Sequence, residues 1–583
     1  MRPPLKSFPN APKNTRSYSL LLAKMQDSFE TNPGCPLDSV QASILGEDSG
    51  FQIEQRVHAR GDTRRTGSVK YIGPVEGYSG IWVGVDWDDG NGKHDGTING
   101  VRHFVSKGNI SGSFVRPQNL AGGIPLLEAL NLRYHGDYTK EEEEEMYVLS
   151  VRNKRVNIQL VGKNKVQEKL SRFEELRAAS VSYLGVSSIG PRHQISSVVP
   201  NLKELDLTGN LLTKWQDVTS ICEELPALEV LNLANNSMEH GITELPLLKN
   251  IRIFVLNGCG ISWQQVEILE QSLPAIEELH LMANKLKTIT REPSSQAVTF
   301  VQGFEHLRLL NLEGNCIESW DEIVKLSQLK SLKELHLNKN NLERIYYPVS
   351  GRQGSISGCE LEKKCIMPFQ NLRCLLLGGN NIVDLESVDS LNFFPSLMDI
   401  RFSDNPISDP GRGKIPRFVF VARLAKVQIL NGSEVSARER KESEIRYVRF
   451  VMAKLQSDDP TVIRQLHPRF YDLKELHGIE DEKPMTARVG GQKMASGLLD
   501  VTLKCVGPSI GEKASMIKKL PATTTVGKLK FLCESLFNIK SIKPELFLQE
   551  EGSPLPQLLD DEMISLMELG IGSGSTILVS EET

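Results

Sequence analysis

Apolar positions recur at a fixed spacing through residues 202–405. Leu202, Leu205 and Leu207 with Asn210 are followed by Leu228, Leu231, Leu233 and Asn236. The set returns at Ile251, Phe254, Leu256 and Cys259, then at Ile276, Leu279, Leu281 and Asn284. It continues at Leu307, Leu310, Leu312 and Asn315, at Leu332, Leu335, Leu337 and Asn340, at Leu372, Leu375, Leu377 and Asn380, and at Leu397, Ile400, Phe402 and Asn405. The alternation inside each set predicts a short strand with its leucines inward. One coil cannot bury them alone, so neighbouring coils must stack. The wider gaps Asn284–Leu307 and Asn340–Leu372 predict surface insertions. Residues 51–120 follow another pattern: short apolar stretches, Gly67–Gly73 and Ile81–Trp87, alternate with glycine turns, as in a small all-β barrel. Near the end, Leu499, Val501, Leu503 and Cys505 alternate with polar residues and predict a half-buried strand. After Thr525, the residues Val526, Leu529, Cys533 and Leu536 fall on one helical face, and Leu546–Leu548 and Thr576–Val579 supply later strands.

These patterns divide the chain. Residues 1–50 read as a disordered N-terminal tail, and 51–120 as the barrel. Residues 121–200 join it to the array, with 164–180 expected to be helical and Leu176–Leu184 a degenerate first coil. Residues 201–456 hold the repeats and their closing cap. There Ser436 and Glu439 can form a capping box, and Ile445, Val448, Met452 and Leu455 share a helix face that can seal the last coil. Residues 457–497 are assigned to a linker, clearest around Glu480–Glu482, Pro484, Gly490, Gly491 and Gly497, and 498–583 to a last domain.

A chain of 583 residues has room for these domains. Its 68 basic and 73 acidic residues give a net charge of −5, which favours neither nucleic acid nor a membrane surface. The 9 cysteines form no CxxC pair, which argues against a disulfide framework or a zinc site. No apolar run is long enough to span a bilayer. Nucleotide, protease, esterase and kinase signatures are absent, so the chain reads as a binding protein rather than an enzyme, with no cofactor and no metal.

The chemistry concentrates in two places. Gly92-Lys93-His94-Asp95-Gly96 is a glycine loop carrying one lysine, with Trp82 and Trp87 nearby. Trp82 and Phe114 read as core residues. Along the repeats, the positions beside the core leucines line the concave face: Glu204, Asp206, Glu278, His280, Glu334, His336 and Arg401. This mixed, mildly acidic surface suits a folded protein and lacks the basic stripe that nucleic acid requires. His280 and His336 have no third ligand beside them.

Residues 67–69, Trp82–Trp87, Gly92–Gly96, Gly100–Phe104 and Gly112–Pro117 together resemble the CAP-Gly family, whose members bind acidic C-terminal tails ending in an aromatic residue, such as that of α-tubulin. The resemblance implies that Gly92, Lys93, His94, Asp95, Gly96, Trp87, Phe104 and Arg116 form the tail site. In it, bare loop amides meet the carboxylate, Lys93 supplies charge, and Trp87 and Phe104 form a slot. The usual family loop has Asn where this chain has His94. The repeats resemble leucine-rich repeat proteins, which implies an α/β solenoid. The last domain resembles the ubiquitin-like (β-grasp) family, an α+β fold. It lacks a terminal di-glycine, which implies an integral docking module. Gly570-x-Gly572-x-Gly574 lies on a turn without a following helix and is not read as a nucleotide site.

This order of modules resembles the tubulin-folding cofactor E family. The resemblance implies a cytoplasmic, cytoskeleton-associated chaperone that binds α-tubulin. It would act with other tubulin-folding cofactors and β-tubulin in assembly and disassembly of the heterodimer. Two alternatives stay open at this point: a CAP-Gly microtubule-end adaptor, and an adaptor whose ubiquitin-like module delivers tubulin to the proteasome. The acidic run Glu141–Glu145 reads as a solvated linker, and the terminal Glu581-Glu582-Thr583 as a candidate ligand for the chain's own barrel.

Overall fold

The computed structural model describes residues 50–135, 147–149, 155–157, 172–191, 193–242, 248–289, 300–348, 367–409, 415–455, 459–479, 498–506, 513–539, 543–549 and 556–581. The tail 1–49, the acidic run 141–145, most of the longer insertion (349–366), the stretch 480–497 and Glu582–Thr583 lie outside them. The chain forms two compact units, Met1–Leu286 with Gly303–Leu312, and Lys287–Gln302 with Glu313–Thr583.

In the first unit, strands β1 (Arg56–Ala59), β2 (Asp62–Val75) and β3 (Tyr78–Trp87) pair antiparallel in sequence order. Strand Gly112–Val115 flanks β3, and Leu120–Ala121 closes on β1. The side chains of a strand point to opposite faces in turn. On β3 this sends Val83, Val85 and Trp87 inward, where they pack with Val57, Val69 and Leu120. Trp82 and Gly84 face the other way. The barrel joins directly to the repeats. Ile124–Pro125 pairs in parallel with Val186–Ser188. The Arg64 guanidinium stands 5.1 Å over the Tyr183 ring, and the Tyr134 hydroxyl accepts the Ser180 N–H at 2.8 Å.

The repeat strands of this unit are parallel and in register: Ala178–Ser180, Glu204–Asp206, Val230–Asn232, Ile253–Val255, Glu278–His280 and Leu309–Asn311. Their central residues, Ala179, Leu205, Leu231, Phe254, Leu279 and Leu310, are buried. The coil at 176–184 is thus part of the array. Residues 172–180 are not helical apart from the 3-10 turn Phe173–Glu175, because Ala178–Ser180 is extended by its pairing to the next coil. Behind the strands run helices such as Trp215–Glu224 and Trp263–Ser272.

The asparagines tie coil to coil. Asn236 is fully buried. Its Nδ2 donates to Leu207 O and Leu233 O, each at 2.9 Å, and its Oδ1 accepts the Leu212 N–H at 3.2 Å. Buried backbone groups that the turn leaves unpaired are satisfied in this way. Cys259 takes the equivalent place with less: its thiol donates to Leu233 O at 3.1 Å, and the Met238 N–H turns to Asn236 O instead.

The second unit continues the pattern with Glu334–His336, Cys374–Leu376, Asp399–Arg401 and Ile429–Leu430 in parallel, closed by antiparallel Ser433–Glu434. The cap helix Ala437–Lys454 follows. Ser436 Oγ accepts the Glu439 N–H at 3.0 Å, but the Glu439 carboxylate is held by Arg417 at 2.7 Å rather than completing a capping box. The linker reading of 457–497 is corrected at its start. Pro460–Leu466 and Phe470–Leu476 are helices, and Ile463, Phe470 and Leu473 pack with Phe418, Tyr447 and Val448 of the cap. Apolar spacing of this kind over two short helices is easily lost among the charges around it.

The last domain has a sheet ordered Met516–Pro521, Leu498–Cys505, Thr576–Glu581, Pro544–Gln549, Gln557–Leu558, with the Leu498–Cys505 and Thr576–Glu581 pair parallel. Helix Val526–Phe537 lies on it. Val526, Leu529, Cys533 and Phe537 meet Val501, Leu503, Cys505, Leu546 and Ile577 in the core. This is the β-grasp arrangement expected of a ubiquitin-like domain.

Candidate functional site

The loop Gly92–Gly96 is pinned to strand Gly112–Val115. Gly112 O accepts the N–H groups of Lys93 (2.7 Å) and His94 (3.1 Å), and the Gly112 N–H donates to His94 O at 2.8 Å. The close approach explains the glycines. A β-carbon on Gly92 would sit 2.4 Å from Gly112 O, and one on Gly96, whose φ is +96°, would sit 2.1 Å from Phe104 O. These glycines therefore serve backbone packing. The expectation that bare loop amides meet a carboxylate does not hold for Lys93, His94 and Gly96. The Lys93 and His94 amides are engaged by Gly112, the Gly96 N–H donates to His94 Nδ1 at 3.2 Å, and the Thr97 N–H donates to Asp95 Oδ1 at 3.0 Å.

Side chains are what the loop offers. Lys93 is exposed. His94 is half-buried, its ring 5.1 Å from Phe114 and 6.3 Å from Phe104. Burial lowers its pKa from the ordinary value, with Asp95 raising and Lys93 lowering it further. Asp95 is held by Arg102 at 3.0 Å. Its pKa is lowered mainly by its hydrogen bonds from Thr97, with the Arg102 charge adding to this. Tyr71 and His103 complete an edge-to-face aromatic cluster with Phe114, at 5.8 and 5.3 Å. Strand alternation carries this face onward from Gly112 through Phe114 to Arg116, whose guanidinium lies 3.8 Å over the Trp82 ring. Aromatic faces between Lys93 and Arg116 can take an anionic chain end and a flat ring together.

Three sequence readings change here. Trp87 does not line a slot. It is 3% exposed in the barrel core, with the Arg65 guanidinium 4.5 Å over its ring. Trp82, read as core, is half-exposed on the outer face. Phe114, also read as core, is half-buried in the aromatic cluster beside His94. Phe104 is buried beneath the cluster as its floor. Sequence spacing does not bring Tyr71, His103 and Phe114 to the candidate site, although Phe114 and Arg116 share a parity with Gly112 that alternation alone reveals.

Of the concave-face residues, Glu204, Glu334 and Arg401 are open, and Glu278, His280 and His336 are half-buried. His280 lies 3.8 Å from Glu278, and His336 lies 3.8 Å from Glu334. Asp206 is corrected: it is buried, and it accepts hydrogen bonds from the hydroxyls of Ser180 (2.9 Å), Ser182 (2.7 Å) and Thr208 (2.6 Å). Its role is to knit the first coils. Among the described residues no cluster of His, Cys, Asp and Glu is placed to hold a metal, and no helix is long and apolar enough to cross a membrane.

The CAP-Gly domain family matches residues 53–120. Over 537 residues the chain is 60% identical to a protein of Arabidopsis thaliana named tubulin-folding cofactor E, covering 92% of this chain and 99% of that relative. The chain belongs to the tubulin-folding cofactor E family. A second relative, tubulin-specific chaperone E of Danio rerio, is 28% identical over 88% of this chain and 96% of its own length. The solution structure of the C-terminal ubiquitin-like domain of mouse tubulin-specific chaperone e aligns at 23% identity, over 16% of this chain and 96% of that one, with a TM-score of 0.14. The two relatives thus match this chain over most of its length, 92% and 88%.

Proposed function

We propose that this cofactor E family member binds α-tubulin and acts, with other tubulin-folding cofactors and β-tubulin, in assembly and disassembly of the tubulin heterodimer in the cytoplasm. The observation that carries the reading is the outer face of the barrel. Exposed Lys93 stands beside the half-buried His94–Phe114 pair, with Arg116 and Trp82 farther along. An acidic tail ending in an aromatic residue has the matching chemistry: carboxylates for the cations, a ring for the cluster. The tail site alone is a small contact. In the second unit, the open concave-face residues Glu334 and Arg401 offer another surface, for the folded body of tubulin. Two weak contacts on one chain reinforce each other through effective concentration. Binding alone suffices, and no covalent step is required.

The test is capture from cytosol on the immobilised full chain, with the bound proteins identified. α-Tubulin should be retained, and retention should fall when residues 51–120 are removed. A chain that retains no α-tubulin, or retains it equally without those residues, overturns the reading. Decoration of microtubule ends in cells would favour an adaptor instead.

A further inference from the structure

The Gly570-x-Gly572-x-Gly574 pattern lies on the turn that leads into the last strand, Thr576–Glu581. Gly570 and Gly574 have φ of +68° and +90°, where glycine is the ordinary choice. Gly572 lacks that reason, since its φ lies outside the left-handed range. What stands against it is the cap helix. A β-carbon on Gly572 would fall 1.7 Å from Nη1 of Arg449 and 2.7 Å from its Cζ. A β-carbon on Gly570 would fall 2.7 Å from Cγ of Arg446 and 2.9 Å from the backbone carbonyl of Arg446, which cannot yield without bending the helix.

Arg446 completes the contact. Its guanidinium packs 3.8 Å over the Phe418 ring on one side. On the other, Nε and Nη2 donate to Leu569 O at 3.0 and 2.8 Å. Burial pushes its pKa down to about 9. A buried cation is costly unless it is well hydrogen-bonded, and here the turn's carbonyl and an aromatic face supply part of what water would have given.

We propose that the Gly570–Gly572 turn is a docking key. It seats the ubiquitin-like module on the face of the cap helix that carries Arg446 and Arg449, so that the module is a fixed extension of the repeat cap rather than a tethered domain. The partner of that helix face is the chain's own turn, narrow enough at two glycines to reach the helix and ending in a carbonyl that accepts from Arg446. Docking positions the module without masking it: Ile517, Phe531, Leu558 and Met563 stay exposed in the docked chain. A protein that engages those side chains would meet them at a set orientation to the cap.

Hydrogen exchange of the full chain, read by mass spectrometry, tests this, with small-angle scattering beside it. In an Arg446→Ala/Arg449→Ala chain, segment 566–575 should exchange about tenfold faster, since a local opening now exposes it. Segments 526–537 and 417–423 should keep their protection, and the radius of gyration should rise. Gly572→Phe alters only the module side and suits the local backbone. It should give the same release with the cap helix intact, and it decides the matter if the double variant disturbs the cap. Unchanged exchange at 566–575 and unchanged scattering in Gly572→Phe would overturn the proposal.

Discussion

The Gly96 N–H donates to Nδ1 of His94 at 3.2 Å. That nitrogen is therefore an acceptor without a proton, and the neutral ring carries its hydrogen on Nε2. The bond is made inside a loop already tied to Gly112 from both sides, so His94 presents a donor in a fixed direction. Protonation of Nδ1 would break the bond.

The first prediction concerns pH. Burial lowers the His94 pKa below its ordinary 6.5. A folded-state pKa that is lowered contributes stability above the unfolded value, lost as pH falls through the folded one. A carboxylate bound nearby acts in the opposite sense and raises the pKa, so tail binding takes up a proton as pH falls toward the lowered His94 pKa. A peptide ending in Glu-Glu-Tyr should bind about threefold tighter at a pH near 6 than near 7.5. His94→Asn should flatten the profile. Anisotropy titrations of the wild type, His94→Asn and His103→Phe measure it, because His103 faces the same cluster. Identical profiles in the wild type and His94→Asn would sink the linkage.

Lys93 is exposed at the loop tip, away from the core. Lys93→Glu should weaken the same peptide by tenfold or more, on the order of 1.4 kcal/mol, because a charge-assisted contact becomes a repulsion. Its thermal melt should match the wild type. A loss of binding accompanied by an equal loss of stability would mean that the loop, not the charge, was damaged.

The two tryptophans of β3 should separate cleanly. Trp87→Ala removes a core ring and should cost about 3–5 kcal/mol of barrel stability. Trp82→Ala removes a half-exposed ring under Arg116. It should lower peptide affinity while costing about 1 kcal/mol or less. Denaturant melts and peptide titrations on both variants check this. Equal destabilisation would contradict the strand parity.

Asn236 and Cys259 hold equivalent places in consecutive coils with unequal bonding. Asn236→Ala strands the Leu212 N–H in a dry interior, takes one donor each from Leu207 O and Leu233 O, and should cost about 2–3 kcal/mol. Cys259→Ala loses one weak thiol bond and should cost about 1 kcal/mol. Urea unfolding of the two variants orders them, and a larger loss at Cys259 would refute the ladder.

Asp206 and Glu204 sit on one strand yet differ in kind. Asp206→Ala should destabilise the first coils by about 1–3 kcal/mol by leaving Ser180, Ser182 and Thr208 without their acceptor. Glu204→Ala should change stability by about 0.5 kcal/mol or less. If Asp206→Ala melts like the wild type, its carboxylate is not structural.

The sequence by itself determined the parts of this protein whose physics is periodic. A coil that must bury Leu205 and Leu207 against its neighbours can form only a stacked array, and alternation from Leu499 to Cys505 can form only a half-buried strand. The loop's glycines and Lys93 marked the candidate tail site of the barrel. Tertiary structure alone decided what depends on which face meets which neighbour. Trp87 went inward and Trp82 outward because β3 pairs with β2 in one register, and a single-residue shift would have exchanged them. Asp206 is buried rather than open on the concave face because Ser180 and Ser182 of the preceding coil reach its carboxylate. Gly570 acquired a second reason only when the cap helix brought the Arg446 carbonyl against it. Such contacts join residues far apart in the chain, where local spacing carries no record of them.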